Sequence, residues 1–146
     1  YDAFSSSVER FVRIAAEDFL TRLYRSEERP ASERRAAASS AQTGLVPLLA
    51  RWRVAHAGWV RTGPSGSVAL TDSGRAAAAN LIRAHRLWET YLDTHFDLPR
   101  DHLHDAAERM EHFLSPELQN ELAAELADRV FDPHGKEIPA PQGGRG

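Results

Sequence analysis

Four side chains that can ligate a metal ion fall within one short stretch, His104-Asp105-Ala106-Ala107-Glu108-Arg109-Met110-Glu111-His112. They are His104, Glu108, Glu111 and His112. Their offsets of i, i+4, i+7 and i+8 share one face of a helix that turns about 100° per residue. Two imidazoles and two carboxylates make a mixed donor set. Imidazole suits iron, zinc, copper and nickel, and carboxylate oxygen moves the preference toward manganese and other hard ions. The chain has no cysteine, so no thiolate site competes. A face of acids and histidines is often only solvated surface. A second pair, His85 and Glu89, again at i, i+4 on an expected helix, turns the balance toward a site.

Such a site needs helices to hold it. Residues 1–28 read as a long helix. Ser5, Ser6 and Ser7 can cap its start, and Val8, Phe11, Val12, Ala15, Phe19, Leu20, Leu23 and Tyr24 recur at helical spacing. Phe11, Ala15 and Phe19 are expected to face a core, and Pro30 ends the helix. A shorter helix is expected over 32–41, capped by Ser32. Thr43-Gly44 reads as a turn, and a third helix runs over 45–57, closed by Gly58. Trp59-Val60-Arg61-Thr62 and Ser67-Val68-Ala69-Leu70 flank Gly63-Pro64-Ser65-Gly66 as two strands around a turn. Helix, turn, helix and hairpin outline a winged-helix domain. Thr71-Asp72 caps a helix over 73–96, broken at Asp97-Leu98-Pro99. The helix over 100–114 carries the metal face, and Ser115-Pro116 starts another that runs to about 127. Residues 131–136 form a turn, and the tail from Pro139 is expected to be extended or disordered.

The bulk properties fit that outline. At 146 residues the chain holds one domain or two small ones. An apolar fraction of 42% with 27% charged residues is ordinary for a soluble globular protein. No apolar run approaches the roughly 20 residues needed to span a bilayer, and no secretory signal is present. A cytoplasmic location is the default expectation. Residues 1–75 carry 11 Lys and Arg against 8 Asp and Glu, whereas residues 76–146 carry 7 against 13. A mildly basic front and an acidic back suit a nucleic-acid-facing half joined to a cation-binding half. The chain starts at Tyr1 rather than Met, so a piece of a longer protein is expected.

Several stretches together resemble the diphtheria toxin repressor family, which includes the manganese transport regulators. They are Leu70-Thr71-Asp72-Ser73-Gly74-Arg75, Ala84-His85-Arg86-Leu87-Trp88-Glu89, His104 to His112 with Leu114-Ser115, and Asp132-Pro133-His134-Gly135 with Ile138-Pro139. Glu17-Asp18-Phe19-Leu20 and Leu23-Tyr24 extend the resemblance into the first helix. It implies a mainly α fold: a winged helix-turn-helix domain over 1–71, a helical metal-binding and dimerisation domain over 72–139, and a disordered tail over 140–146. It also implies two ligand sets. His85, Glu89 and His104 match an ancillary site. Asp18, Glu108, Glu111 and His112 match the effector-sensing site that joins the two domains. Glu108 and Asp18 carry oxygen where the iron-responsive branch has cysteine and methionine, which implies Mn²⁺ first, then Fe²⁺ or Zn²⁺. Thr21 stands where the manganese branch has a further glutamate.

Two functions follow from the resemblance. In metal-dependent repressors, a homodimer through the helical domain presents recognition helices to DNA. Here that helix reads Leu45-Val46-Pro47-Leu48-Leu49-Ala50-Arg51-Trp52-Arg53. Leu48 and Leu49 stand where polar donors to bases and phosphates are needed, and Pro47 sits awkwardly after the first turn. Arg51, Arg53 and Arg61 are the candidate phosphate contacts. The alternative is the cytoplasmic extension of bacterial metal-uptake ABC transporter permeases, which the run His85 to Glu89 with Tyr91-Leu92 also resembles. It implies a covalent link to a membrane permease outside this chain and tethering at the inner face of the membrane. The permease-linked sensor is the preferred reading and the stand-alone repressor the alternative. No small-molecule substrate is implied, and no enzyme: nothing specifies a substrate pocket or a general base.

The other histidines read as structural. His56 suits a helix C-terminus, His95 and His102 are expected on the surface, and His134 is expected to cap its turn. Trp52, Trp59 and Trp88 are expected in the core or a dimer contact, with Leu81, Trp88 and Leu92 on one two-fold face.

Overall fold

The computed structural model describes residues 2–30, 44–127 and 129–142, with side chains from Ser6 onward. The expected helix over 32–41 and the tail over 143–146 lie outside the described residues. Five helices and one two-stranded sheet make up the rest: α1 (Asp2–Glu28), α2 (Leu45–His56), β1 (Val60–Thr62), β2 (Val68–Leu70), α3 (Asp72–His95), α4 (Arg100–Met110) and α5 (Pro116–Glu125). None of these helices is long and apolar enough to cross a membrane. The chain divides into two compact units, Tyr1–Ala78 and Ala79–Gly146, with the boundary inside α3.

In the first unit, Ala16 and Leu20 of α1 meet Ala50 and Val54 of α2, Leu70 of β2 and Ala78 of α3 in a buried core. Ala15, Phe19, Leu23 and Tyr24 flank it. The packed part of α1 is therefore 15–24, and Phe11, expected in the core, is exposed. The helix begins at Asp2, so Ser5–Ser7 lie inside it and do not cap it. No Pro or Gly precedes them to stop the helix from extending backward. Pro47 is the third residue of α2. Its missing N–H is one of the donors a helix start leaves unpaired, so it fits where it stands. Trp52, also expected to be buried, is exposed and stacks on His56 at 5.0 Å between centroids.

The hairpin pairs Val60 with Leu70 and Thr62 with Val68. Gly63 N–H donates to Ser67 O at 2.7 Å, and Gly66 takes a φ of 73°, where a side chain would be strained. The hairpin's base is bonded to the start of α3. Thr71 Oγ1 donates to Gly58 O at 2.7 Å and accepts from Gly74 N–H at 3.1 Å, and Thr71 N–H donates to Trp59 O. Gly74 lies so close to Trp59 that a Cβ would overlap the Trp59 carbonyl.

In the second unit, Leu87, Ala123, Leu126 and Ile138 form a core with Tyr91 and Leu122 against it. Nearly every residue of α3 from 81 to 92 is buried, polar ones included. Ser115 caps α5 by accepting from Leu118 N–H at 3.3 Å, with Pro116 at the first helical position. α4 stops at Met110, earlier than the sequence suggests, and Glu111 is its C-cap. A turn follows, closed by Phe113 N–H to Met110 O at 3.0 Å. The tail does not start at Pro139. That residue is buried, and Arg83 donates to its carbonyl at 3.2 Å.

Candidate metal centre

The centre is built on α3. An i, i+4 pair on a helix projects from one face, and here that pair is His85 and Glu89, with side chains 3% and 1% exposed. His85 Nε2 lies 3.5 Å from Glu89 Oε2 and 3.2 Å from His104 Nδ1, which arrives from α4. The two imidazole rings stand edge to face, 4.8 Å between centroids. One ligand atom from each of His85, Glu89 and His104 lies within 4.8 Å of the others.

Residues past the end of α4 support this set. Glu111 Oε2 accepts from His85 Nδ1 at 2.7 Å. That bond assigns the Nδ1–H tautomer to neutral His85 and leaves Nε2 for a ligand. The other oxygen of Glu111 lies 3.6 Å from His112 Nε2. Glu111 keeps helical dihedrals and its N–H still donates to Ala107 O at 3.0 Å, so it follows Leu103 and Ala107 on the buried face, 2% exposed, whereas Glu108 is exposed.

Electrostatics decides what the cluster can hold. Burial pushes the Glu89 carboxyl up, but hydrogen bonds and positive charge from His85 and His134 outweigh it and hold Glu89 below its ordinary value. Two carboxylates buried this deeply need compensating positive charge. A divalent ion fits that demand. The donors, two imidazoles and a carboxylate with a second carboxylate behind, suit a first-row transition ion.

The remaining expected residues fall as follows. Asp18 is half-buried on α1, where Thr21 turns its hydroxyl back to the Asp18 carbonyl at 3.1 Å. The His112 side chain, just beyond α4, is buried, 4% exposed. Arg51, Arg53 and Arg61 are exposed. The Arg51 guanidinium lies over the Phe19 ring at 5.9 Å, and Arg53 lines a shallow cleft with Ser6, Glu9, Arg10 and Arg13. His95 and His102 are exposed as expected. Leu81 and Leu92, expected on a dimer face, are buried within the single chain.

Sequence reasoning missed His134. It does not cap its turn. Asp132 does, accepting from the His134 and Lys136 N–H groups, while the His134 ring reaches Glu89 Oε1 at 2.6 Å. The Asp-Pro-His-Gly run signals the turn, but nothing local shows where its tip lands, 45 residues away.

Residues 71–140 match the family described as iron dependent repressor, metal binding and dimerisation domain. The chain is 51% identical over 70 residues to a probable metal transport system membrane protein of Chlamydia trachomatis, covering 48% of this chain and 16% of that protein. It is 34% identical over 114 residues to the diphtheria toxin repressor of Corynebacterium efficiens, covering 67% of this chain and 50% of the repressor. Among solved structures it is similar to a manganese-dependent transcriptional repressor in complex with manganese, at 32% identity and a TM-score of 0.71, over 88% of this chain and 60% of that one. The matches thus span half or less of these curated relatives' length.

Proposed function

We propose, from the premise that residues 71–140 belong to the iron dependent repressor family of metal binding and dimerisation domains, that this chain is a transition-metal-sensing regulatory module. The observation that carries the reading is the meeting of buried His85 and Glu89 with His104 at their exposed edge, with Glu111 behind His85. His85, Glu89 and His104 hold one divalent ion. Asp18, Glu108, Glu111 and His112 form the sensing set, in which three carboxylates beside one imidazole favour Mn²⁺, then Fe²⁺ or Zn²⁺. The first unit is a winged helix-turn-helix with α2 as its recognition helix, and the second forms a homodimer. The role is regulatory and cytoplasmic, not enzymatic: bound metal selects between arrangements of the module by binding one more tightly.

The module serves a metal-uptake permease rather than an operator. A metal transport membrane protein is 51% identical to it over 70 residues, and the repressor 34% identical over 114. The exposed side of α2 presents Leu45, Leu48 and Trp52 to solvent, where a DNA-reading helix needs polar donors. A stand-alone repressor remains the second reading, favoured by the cleft that Arg10, Arg13 and Arg53 line. DNA binding by the purified chain, with and without Mn²⁺ and across a salt series, separates the two. Full metal occupancy with weak, salt-sensitive DNA binding is expected. Tight, Mn²⁺-dependent, sequence-selective binding establishes the repressor, and absence of metal binding removes both.

A further inference from the structure

The two oxygens of Glu89 face different partners. Oε2 lies on the side of His85 Nε2, where His104 also converges, whereas Oε1 is taken by His134 Nε2 at 2.6 Å. We propose that His134 is a positioning residue of the metal centre: its ring N–H holds Oε1 so that Oε2 stays aimed at the ion. The inference rests on the metal-sensing reading above and adds to it a residue from outside both ligand sets.

The turn that carries His134 is built for placement and does not depend on the imidazole. Asp132 N–H donates to Lys136 O at 2.8 Å and Gly135 N–H to Asp132 O at 3.0 Å, with Gly135 at a φ of 76°. This is a three-residue hairpin loop whose left-handed position takes glycine. Asp132 Oδ1 accepts from the His134 and Lys136 amides at 2.9 and 2.7 Å. The loop is fastened to α3 by its backbone: Arg86 donates to Glu137 O at 2.6 Å and Arg83 to Pro139 O at 3.2 Å. Ile138 is buried in the core of the unit. With the loop fixed by these contacts, the His134 ring, 37% exposed at the rim, is not needed to shape the turn. What it touches is the carboxylate of a ligand set. A hydrogen bond to the second oxygen of a ligating carboxylate is a recurrent outer-shell device, and losing one costs about 10- to 100-fold in metal affinity.

The test is Co²⁺ binding by the full chain, read from visible absorption, with Mn²⁺ competition. Wild type, His85→Ala, His134→Ala, His134→Gln, Glu89→Gln and the Glu89→Gln/His134→Ala double variant are compared, each with its metal-free melting temperature. His134→Ala is expected to weaken one Co²⁺ site by about 10- to 100-fold, with a small fall in metal-free melting temperature because buried Glu89 loses a hydrogen bond. Glutamine, whose amide can donate in place of the ring, is expected to recover most of that loss. In the Glu89→Gln background, His134→Ala is expected to add less than about twofold, because the two side chains act through one bond. Three results overturn the proposal while leaving the metal reading intact: wild-type affinity in His134→Ala when His85→Ala has lost the site, the same loss with and without Glu89, or a large fall in metal-free melting temperature with no rescue by glutamine. If wild type itself binds neither Co²⁺ nor Mn²⁺, the metal reading fails and this inference with it.

Discussion

α2 and α3 invert each other's chemistry. On α2, Leu45, Leu48 and Trp52 stand in water at 70%, 65% and 63% exposure, with Arg51 and Arg53 on either side of Trp52 in the chain. On α3 the charged and polar residues Arg83, His85, Arg86, Glu89 and Thr90 are buried. Apolar side chains scattered on a surface cost little and decide little. A buried ionisable residue is costly unless every charge is answered, so the groups that answer it can be traced. On α3 the tracing ends in carbonyls for the arginines and in an imidazole and carboxylate cluster for His85 and Glu89. On α2 it ends at Phe19 beneath Arg51 and a shallow cleft beside Arg53. The second unit thus names its ligand class through what it has buried, and the first does not name a nucleic-acid sequence through what it exposes.

The contrast can be broken at several points. Glu111→Ala removes the carboxylate that meets both His85 and His112. Mn²⁺ affinity is expected to drop by about 100-fold or more, measured by competition titration, and an unchanged affinity would take Glu111 out of the centre. Gly74→Ala drives a methyl into the Trp59 carbonyl and attacks the first unit's hairpin base. It should destabilise the chain by about 2–3 kcal/mol, read from denaturant unfolding; a wild-type midpoint would show that the hairpin yields freely. Glu108→Cys is expected to raise Zn²⁺ over Mn²⁺ preference by roughly tenfold. An unaltered rank order in the same titration removes Glu108 from the sensing set and leaves its exposed position on α4 as plain surface. Smallest is Leu48→Lys on α2, expected to change stability by no more than about 0.5 kcal/mol. A larger loss would mean that Leu48 is packed against something in solution.

Local chemistry carried much of the fold into the sequence. Ser115-Pro116 marks a helix start wherever it occurs next to a helical run, and Thr71-Asp72 does the same for α3, where Thr71 Oγ1 accepts from Gly74 N–H. The pair His85 and Glu89 was legible because i, i+4 geometry is local. The end of α4 was not: Glu111 to Leu114 contains no breaker, yet the helix stops at Met110; nor was the partner of Glu111, His85, 26 residues distant. Phe11 was misplaced because period alone gives a helix's apolar face, not how much of its length finds a partner. His134 was beyond reach for the same reason in its strongest form. The turn is written in four residues, but its destination depends on Arg83 and Arg86 gripping carbonyls farther along.

Those two grips have a consequence for how the segment can change. A main-chain carbonyl is the same acceptor in every amino acid, so the arginines hold residues 137 and 139 without reading them. Lys136 and Glu137, both exposed, are therefore open to substitution. Residue 138 is not, because its amide donates to Val130 O at 2.7 Å and a proline there would lose the bond. Random codons at 136–138, sorted for metal binding, should return varied residues at the first two positions, with proline excluded at 136, where the amide donates to Asp132 Oδ1, and, at the third, apolar residues with proline excluded.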